Sequence, residues 1–311
     1  MNTIEYGKVV LNQILIMAIL IAIGFFITKY KKLSGKAVED MTFIVFRIVT
    51  PCVIINSILT VNFTKDFLYQ IIIAAVFAIA SHLLGILSGC VFAKTQNINK
   101  KCVYKFGCLI TNAGFIALPL AQIALDANGV LLVSIYVIVL NIFLWTIGKS
   151  FFPHEPEAGF LNIIMNPGII GFIAGMLALL VKLIYLPSIF TVTISMISAL
   201  NTPLAMIVTG YYLVNINLKE AILNAKIWHV IFIRQVALPL FTIIITRYVF
   251  GISGTLLASV VLPVAAPCGL IVIMFAARYG GDVKTASQMA SLSTVLSLIT
   301  LPLSLMFCKL L

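Results

Sequence analysis

Continuous apolar runs of about twenty residues, separated by short polar segments, follow one another along the chain. A helix needs about 20 apolar residues to cross a bilayer. Ten segments meet that length: 9–28, 41–60, 68–93, 103–125, 129–150, 161–182, 187–214, 227–249, 254–279 and 284–308. The pattern predicts an all-α polytopic membrane protein. It excludes a transmembrane barrel, whose strands alternate apolar and polar residues. The first run is closed by Lys29, Lys31 and Lys32 and not by a small-residue cleavage site, so it is expected to be a retained helix and not a signal peptide.

Ten spans divide five and five about the polar segment Pro153–Ala158. The expected organisation is a first repeat over 1–152, a short cytoplasmic linker over 153–160 and a second repeat over 161–311. Five helices per half give the halves opposite orientations, the inverted repeat of many secondary transporters. Thr50-Pro51 in span 2 and Thr202-Pro203 in span 7 stand 152 residues apart at equivalent places. Spans 4 and 9 are the least regular. Span 4 carries Thr111-Asn112-Ala113-Gly114 and, further on, Pro119; span 9 carries Pro263 and then Pro267-Cys268-Gly269. Proline removes a donor and clashes with the preceding turn. Beside glycine it predicts an unwound break, which a bilayer tolerates only inside the protein or around a watery cavity.

Composition agrees. Of 311 residues, 62% are hydrophobic and 9% are charged, against roughly 25% charged in a soluble domain. A cytosolic enzyme, a secreted disulfide scaffold and a disordered tail are excluded. The net charge of +11 becomes a topology signal once its members are placed. Thirteen basic residues are assigned to the loops after spans 1, 3, 5, 7 and 9 and five to the opposite side, and the remaining two, Arg47 and Arg234, lie well inside spans. Lys and Arg mark cytoplasmic loops, so both termini are expected outside, extracellular or periplasmic, and nucleic-acid binding is not expected. Cys52, Cys90, Cys102, Cys108, Cys268 and Cys308 form no C-x-x-C pair, so they read as small buried hydrophobes and not as a metal or redox site.

An anion at the paired breaks would meet half-helix N-termini, with their unpaired N–H groups and partial positive charge. Gly269, next to Cys268, lets a substrate approach the backbone. Asn112 can donate to a carboxylate or cap its half-helix. Asn141 in span 5 either bonds a neighbouring helix or contacts substrate. Gln288, Ser291 and Thr294, three apart on span 10, either line one face toward the site or pack among small polar residues. Arg234 is an intramembrane charge and functional by default: it holds a carboxylate, replaces a coupling cation, or bonds helix ends. Arg47 reads as a scaffold residue. His82 and His229 either carry protons or pack. No carboxylate lies at mid-span, which disfavours cation exchange through an acid pair; sodium held by carbonyls and amides stays open.

These motifs resemble the auxin efflux carrier family, which includes the plant auxin exporters and shorter bacterial relatives. The resemblance runs over nearly the whole chain: Thr111–Gly129 with Asp126, Asn141–Trp145, Asn166-Pro167, Thr202–Met206 with Gly210, Arg234 with Pro239, Ala265–Gly269, Phe275–Tyr279 and Ser291–Pro302. It implies a fold like that of sodium/proton antiporters and bile-acid transporters. Spans 1, 2, 6 and 7 would form a dimerising scaffold, and spans 3–5 and 8–10 a mobile domain whose broken helices 4 and 9 cross at the substrate. The chain lacks the long plant loop between spans 5 and 6, so kinase control through it is not expected. Thr111 stands where plant carriers have Pro, and Cys268 where they have Gln, which disfavours auxin itself.

The sequence therefore reads as a secondary transporter of small organic anions, carboxylates such as malate ahead of auxin-like acids, working by an elevator slide. A channel or non-transporting receptor of the same fold is the alternative. An intramembrane enzyme lacks a catalytic constellation, since His82, His154 and His229 are far apart. No cofactor is expected, and coupling by proton or sodium is left open. The expected partners are the anion, the lipid bilayer of the cell membrane and a second copy through spans 2 and 7.

Overall fold

The computed structural model describes residues 3–61, 64–154, 167–182, 187–214 and 218–310. The described residues form helices: Thr3–Lys29 (α1), Gly35–Thr60 (α2), Lys65–Phe92 (α3), Ile98–Leu109 (α4), Ala113–Ala124 (α5), Ala127–Gly148 (α6), Pro167–Lys182 (α7), Ser188–Leu213 (α8), Leu218–Leu223 (α9), Ala225–Val249 (α10), Gly254–Ala265 (α11), Ile271–Tyr279 (α12) and Val283–Leu310 (α13). Seven of them, α1 from Leu11 on, α2, α3, α6, α8, α10 and α13, are long and apolar enough to cross a membrane. The apolar helices α5, α7 and α11 are shorter. The chain is thus an all-helical integral membrane protein. Segment 103–125 is divided between α4 and α5, and segment 254–279 between α11 and α12. The expected linker over 153–160, apart from Pro153 and His154, lies outside the described residues, as do Asn166 and the start of span 6.

Local sequence sets the helix starts. Ser34, Thr64, Asn97 and Asp126 stand in extended backbone before α2, α3, α4 and α6, and each side chain accepts a backbone N–H two or three residues inside the helix. Prolines are absorbed in a way the sequence reading did not foresee. Pro51, Pro119 and Pro239 each follow a widened, π-helical turn, at Val45–Val49, Ala113–Ala117 and Ile233–Ala237. The extra residue in the turn moves the carbonyl that the proline ring would strike. The helix therefore continues through Pro119, and Pro263 lies inside α11. Neither residue marks the break, and Gly114 belongs to the first turn of α5. The breaks fall at residues 110–112 and 266–270 and include the expected Thr111 and Pro267.

Small residues set the closest helix contacts, as expected where lipid tails supply no hydrophobic drive for association. Gly24 of α1 lies against the backbone of Ile207, and Gly210 of α8 against the backbone of Ile21 and Phe25. Gly171 and Gly175, one turn apart on α7, face Pro51 and Ile55 of α2. Gly85 and Gly89 of α3 lie against Cys108 and Lys105 of α4. The outer faces are apolar: Leu15, Ile19 and Ile23 of α1, and Leu83 and Leu87 of α3, are all exposed. The buried interior holds the polar side chains, Asn112, Asn201, Arg234, Gln235 and Ser291 among them.

Candidate functional site

The two interrupted segments meet at the centre. Residues 110–112 and 266–270 run antiparallel, with Thr111 paired to Cys268. The Asn112 N–H donates to the Pro267 carbonyl at 2.7 Å, and the Gly269 N–H donates to the Ile110 carbonyl at 3.0 Å. These bonds satisfy backbone groups that the interruptions free, which hydrocarbon could not do. A Cβ at Gly269 would stand 3.1 Å from the Thr111 carbonyl oxygen, so glycine allows this approach. The Cys268 N–H is taken by Ser293 Oγ at 3.1 Å.

Four half-helix ends converge here. α4 and α11 arrive with their C-termini, and α5 and α12 leave with their N-termini. At the start of α12 the Val272 and Ile273 N–H groups donate to the Gly269 and Leu270 carbonyls, and the N-terminal ends of both α5 and α12 carry the positive end of the helix dipole. They border a small chamber of about 30 Å³, lined by Thr111, Asn112, Gly114, Asn141 and Gly269 with apolar residues around them. That volume matches about one water molecule. Asn112 is 4% exposed and its Nδ2 has no hydrogen-bond partner; Thr111 Oγ1 is likewise buried and unpartnered. The Asn141 amide donates to the Val137 carbonyl at 2.8 Å, which anchors the side chain at the chamber wall.

A cavity of about 480 Å³ adjoins the chamber. Phe46, Asn141, Leu144 and Ile271 line both spaces. Phe46 of α2 meets Phe115 of α5 edge to face, with ring centroids 4.9 Å apart. The larger cavity has apolar and aromatic walls, including Phe43, Trp145 and Phe275, and carries Lys36, Arg47 and Arg278 against Glu39 and Asp40. Ile14, Met17, Leu120, Met206 and Leu301 close around a void of only about 10 Å³, and a second cavity of about 470 Å³ is lined by Asp126, Arg247, Ser253 and Thr255 among others.

The remaining sequence-derived residues are placed as follows. Arg234 is fully buried and does not line the chamber. Its Nη1 donates to the Cys108 carbonyl at 3.2 Å and its Nη2 to the Val264 carbonyl at 3.5 Å. Cys268 turns its Sγ toward the Gly107 carbonyl, 3.6 Å away, and away from the chamber. Ser291 is buried with an unpartnered Oγ, and Thr294 bonds back to the Ala290 carbonyl. Gln288 is directed elsewhere: its amide donates to Glu220 of α9 at 3.1 Å, beside the Lys284–Glu220 ion pair. His229 is exposed, with Nδ1 2.7 Å from the Ala225 carbonyl. His82 is buried, stacked on Phe143 with centroids 4.8 Å apart, and its Nε2 has no partner. No cluster of metal-ligating residues occurs among the described residues.

Sequence reasoning missed two polar residues at the crossing. Gln235 donates to the Ser293 carbonyl at 2.6 Å, and the Ser293 hydroxyl receives the Cys268 N–H. The signal for Gln235 was present, a second polar residue beside Arg234 within a span. Ser293 looks like any small residue of a membrane helix.

A family model described as "Membrane transport protein" matches the sequence over residues 9–160 and 156–305. No curated protein matches the chain.

Proposed function

Because the chain belongs to this membrane transport protein family, the auxin efflux carriers, we propose that it is a secondary transporter of small organic anions that binds its substrate at the helix crossing. One observation carries this reading: Asn112, whose buried Nδ2 has no partner, lines a chamber bordered by two half-helix N-termini. A buried donor without a partner costs about 1–3 kcal/mol. A carboxylate oxygen would satisfy it and would also meet the N–H groups at the start of α5. Thr111 Oγ1 offers a second donor, and Gly114 and Gly269 leave room for close approach.

The proposed cycle is an elevator slide in an inverted repeat. α1, α2, α7 and α8 form the scaffold, and the helices that carry the crossing move against it. The large cavity then serves as the entrance. Its apolar and aromatic walls suit the carbon body of an organic acid, while Lys36, Arg47 and Arg278 attract its charge. Phe46 and Phe115 stand between entrance and chamber. Basic-loop asymmetry supports a cytoplasmic position for this entrance.

The first test is uptake of labelled carboxylates, malate and indole-3-acetate included, into liposomes containing the purified protein. Saturable uptake, with competition between related acids, is the expected result; absence of uptake across the panel would reject the organic-anion reading. The orientation has its own test. In a background without the six native cysteines, Arg278→Cys should react with a membrane-impermeant maleimide only from the cytoplasm, and Thr255→Cys only from outside. The reverse labelling pattern would invert the topology.

A further inference from the structure

Arg234 poses a problem that the anion site does not answer. Its guanidinium remains protonated in a protein, its side chain is fully buried, and among the described residues it pairs with no carboxylate. Removing such an ion from water costs several kcal/mol unless other charge offsets it. The offset lies in the fold. Cys108 is in the last turn of α4 and Val264 in the last turn of α11, and both carbonyls accept from Arg234. A helix C-terminus carries about −0.5 elementary charge, so the two ends that converge on Arg234 together balance about one positive charge. The other two ends at the crossing, the N-termini of α5 and α12, face the chamber on their own.

We propose that Arg234 is a tethered cation, holding the place between two facing half-helix C-termini that an inorganic cation would otherwise take. It is a positioning residue and not a substrate ligand in this conformation. By neutralising the negative ends it leaves the positive ends free to act on an anion. It also fills the place where the Cys108 and Val264 carbonyls converge, so sodium has no site between them. Position and partners fit this role. Arg234 lies in the widened turn Ile233–Ala237, next to Gln235, whose amide ties the same turn to Ser293 of α13. Gly85 of α3 packs against the Cys108 carbonyl, where a Cβ would stand 2.6 Å from the oxygen. The carbonyl that Arg234 binds is therefore fixed in place from a second side.

The test is thermal unfolding of the purified full chain in sodium chloride or choline chloride at equal ionic strength. This readout requires no organic anion, so it stands or falls separately from the transport reading. The wild type should unfold at the same temperature in both salts. Arg234→Ala should unfold at a lower temperature, and about 10 mM guanidinium should restore a saturable part of that loss while leaving the wild type unmoved. Saturable, sodium-specific stabilisation of the wild type would overturn the proposal. So would an Arg234→Ala protein as stable as the wild type and indifferent to every cation. If Arg234→Ala yields no folded protein, Arg234→Lys and Arg234→Gln decide. The lysine variant should fold and stay indifferent to sodium, and the glutamine variant should be the less stable of the two; equal stability would reject a role for the charge.

Discussion

Asn112→Asp is expected to abolish organic-anion uptake while leaving the folded protein intact. The substitution is nearly isosteric and leaves the backbone contacts alone, namely the N–H that donates to Pro267 and the carbonyl that accepts from Ile116. It replaces the unpartnered Nδ2 donor with an acceptor that carries negative charge. Loss of a charge-assisted hydrogen bond costs about 1.5–3 kcal/mol. Two like charges about 4 Å apart add about 4 kcal/mol at the effective dielectric of a partly wet site. Since about 1.4 kcal/mol is a factor of ten, kcat/KM should fall roughly 1000-fold or more. Asn112→Ala, which removes only the donor, should lose about 10- to 100-fold. Uptake assays, paired with circular dichroism and size-exclusion profiles, check both. Uptake by Asn112→Asp at the wild-type rate would remove Asn112 from the substrate site.

Gly210→Leu should have the largest effect on folding. A Cβ at this position would stand 2.2 Å from the Ile21 carbonyl oxygen and 2.6 Å from the Phe25 nitrogen. Both atoms are helix backbone, which cannot swing aside like a flexible side chain. Gly24 makes the reciprocal approach to Ile207, with 2.3 Å from a Cβ to the carbonyl oxygen, so α1 and α8 are in contact along a glycine seam. Overpacking a core costs about 1–3 kcal/mol when side chains can adjust, and more when they cannot. Forcing α1 away from α8 should exceed the upper figure, about 3 kcal/mol. The expected outcome is aggregated or unfolded material in detergent, read by fluorescence-detected size exclusion. Gly114→Ala is the matched control, because a Cβ there meets nothing within 4 Å; it should fold normally. A monodisperse, heat-stable Gly210→Leu protein would show that the seam is not required.

Much of the site was legible because its signals are local. Asn112 and Gly269 were picked out as polar and small residues in apolar spans, and both line the chamber. Asn141 was picked out on the same ground and lies at the chamber wall. Of the residues expected at the two interruptions, Thr111 and Pro267 lie in them, while Gly114, Pro119 and Pro263 lie within helices. Proline chemistry pointed to Pro119 and Pro263, but a widened turn accommodates Pro119 within one helix, and Pro263 sits within α11. The choice between a widened turn and a break depends on whether neighbouring segments offer partners for the freed groups, and here the partners are Ile110 and Pro267, on strands of the crossing far apart in sequence. Gln288 fell on the favoured face of span 10 and still turned to Glu220, 68 residues away. Its direction was set by a carboxylate on another helix.

The apolar runs fixed by themselves that the chain is a membrane-spanning helical protein, because a stretch of about twenty apolar residues is stable only as a helix in lipid. Charge placement by itself singled out Arg47 and Arg234 as basic residues well inside spans. What the charge at Arg234 does was left open among substrate contact, cation replacement and helix-end bonding. Only the tertiary structure decided which groups surround it, because Cys108 and Val264 lie 126 and 30 residues from Arg234. A charge in one dimension has no dielectric and no partners. It acquires both when folding brings two helix C-termini to its guanidinium and turns two N-termini toward the chamber.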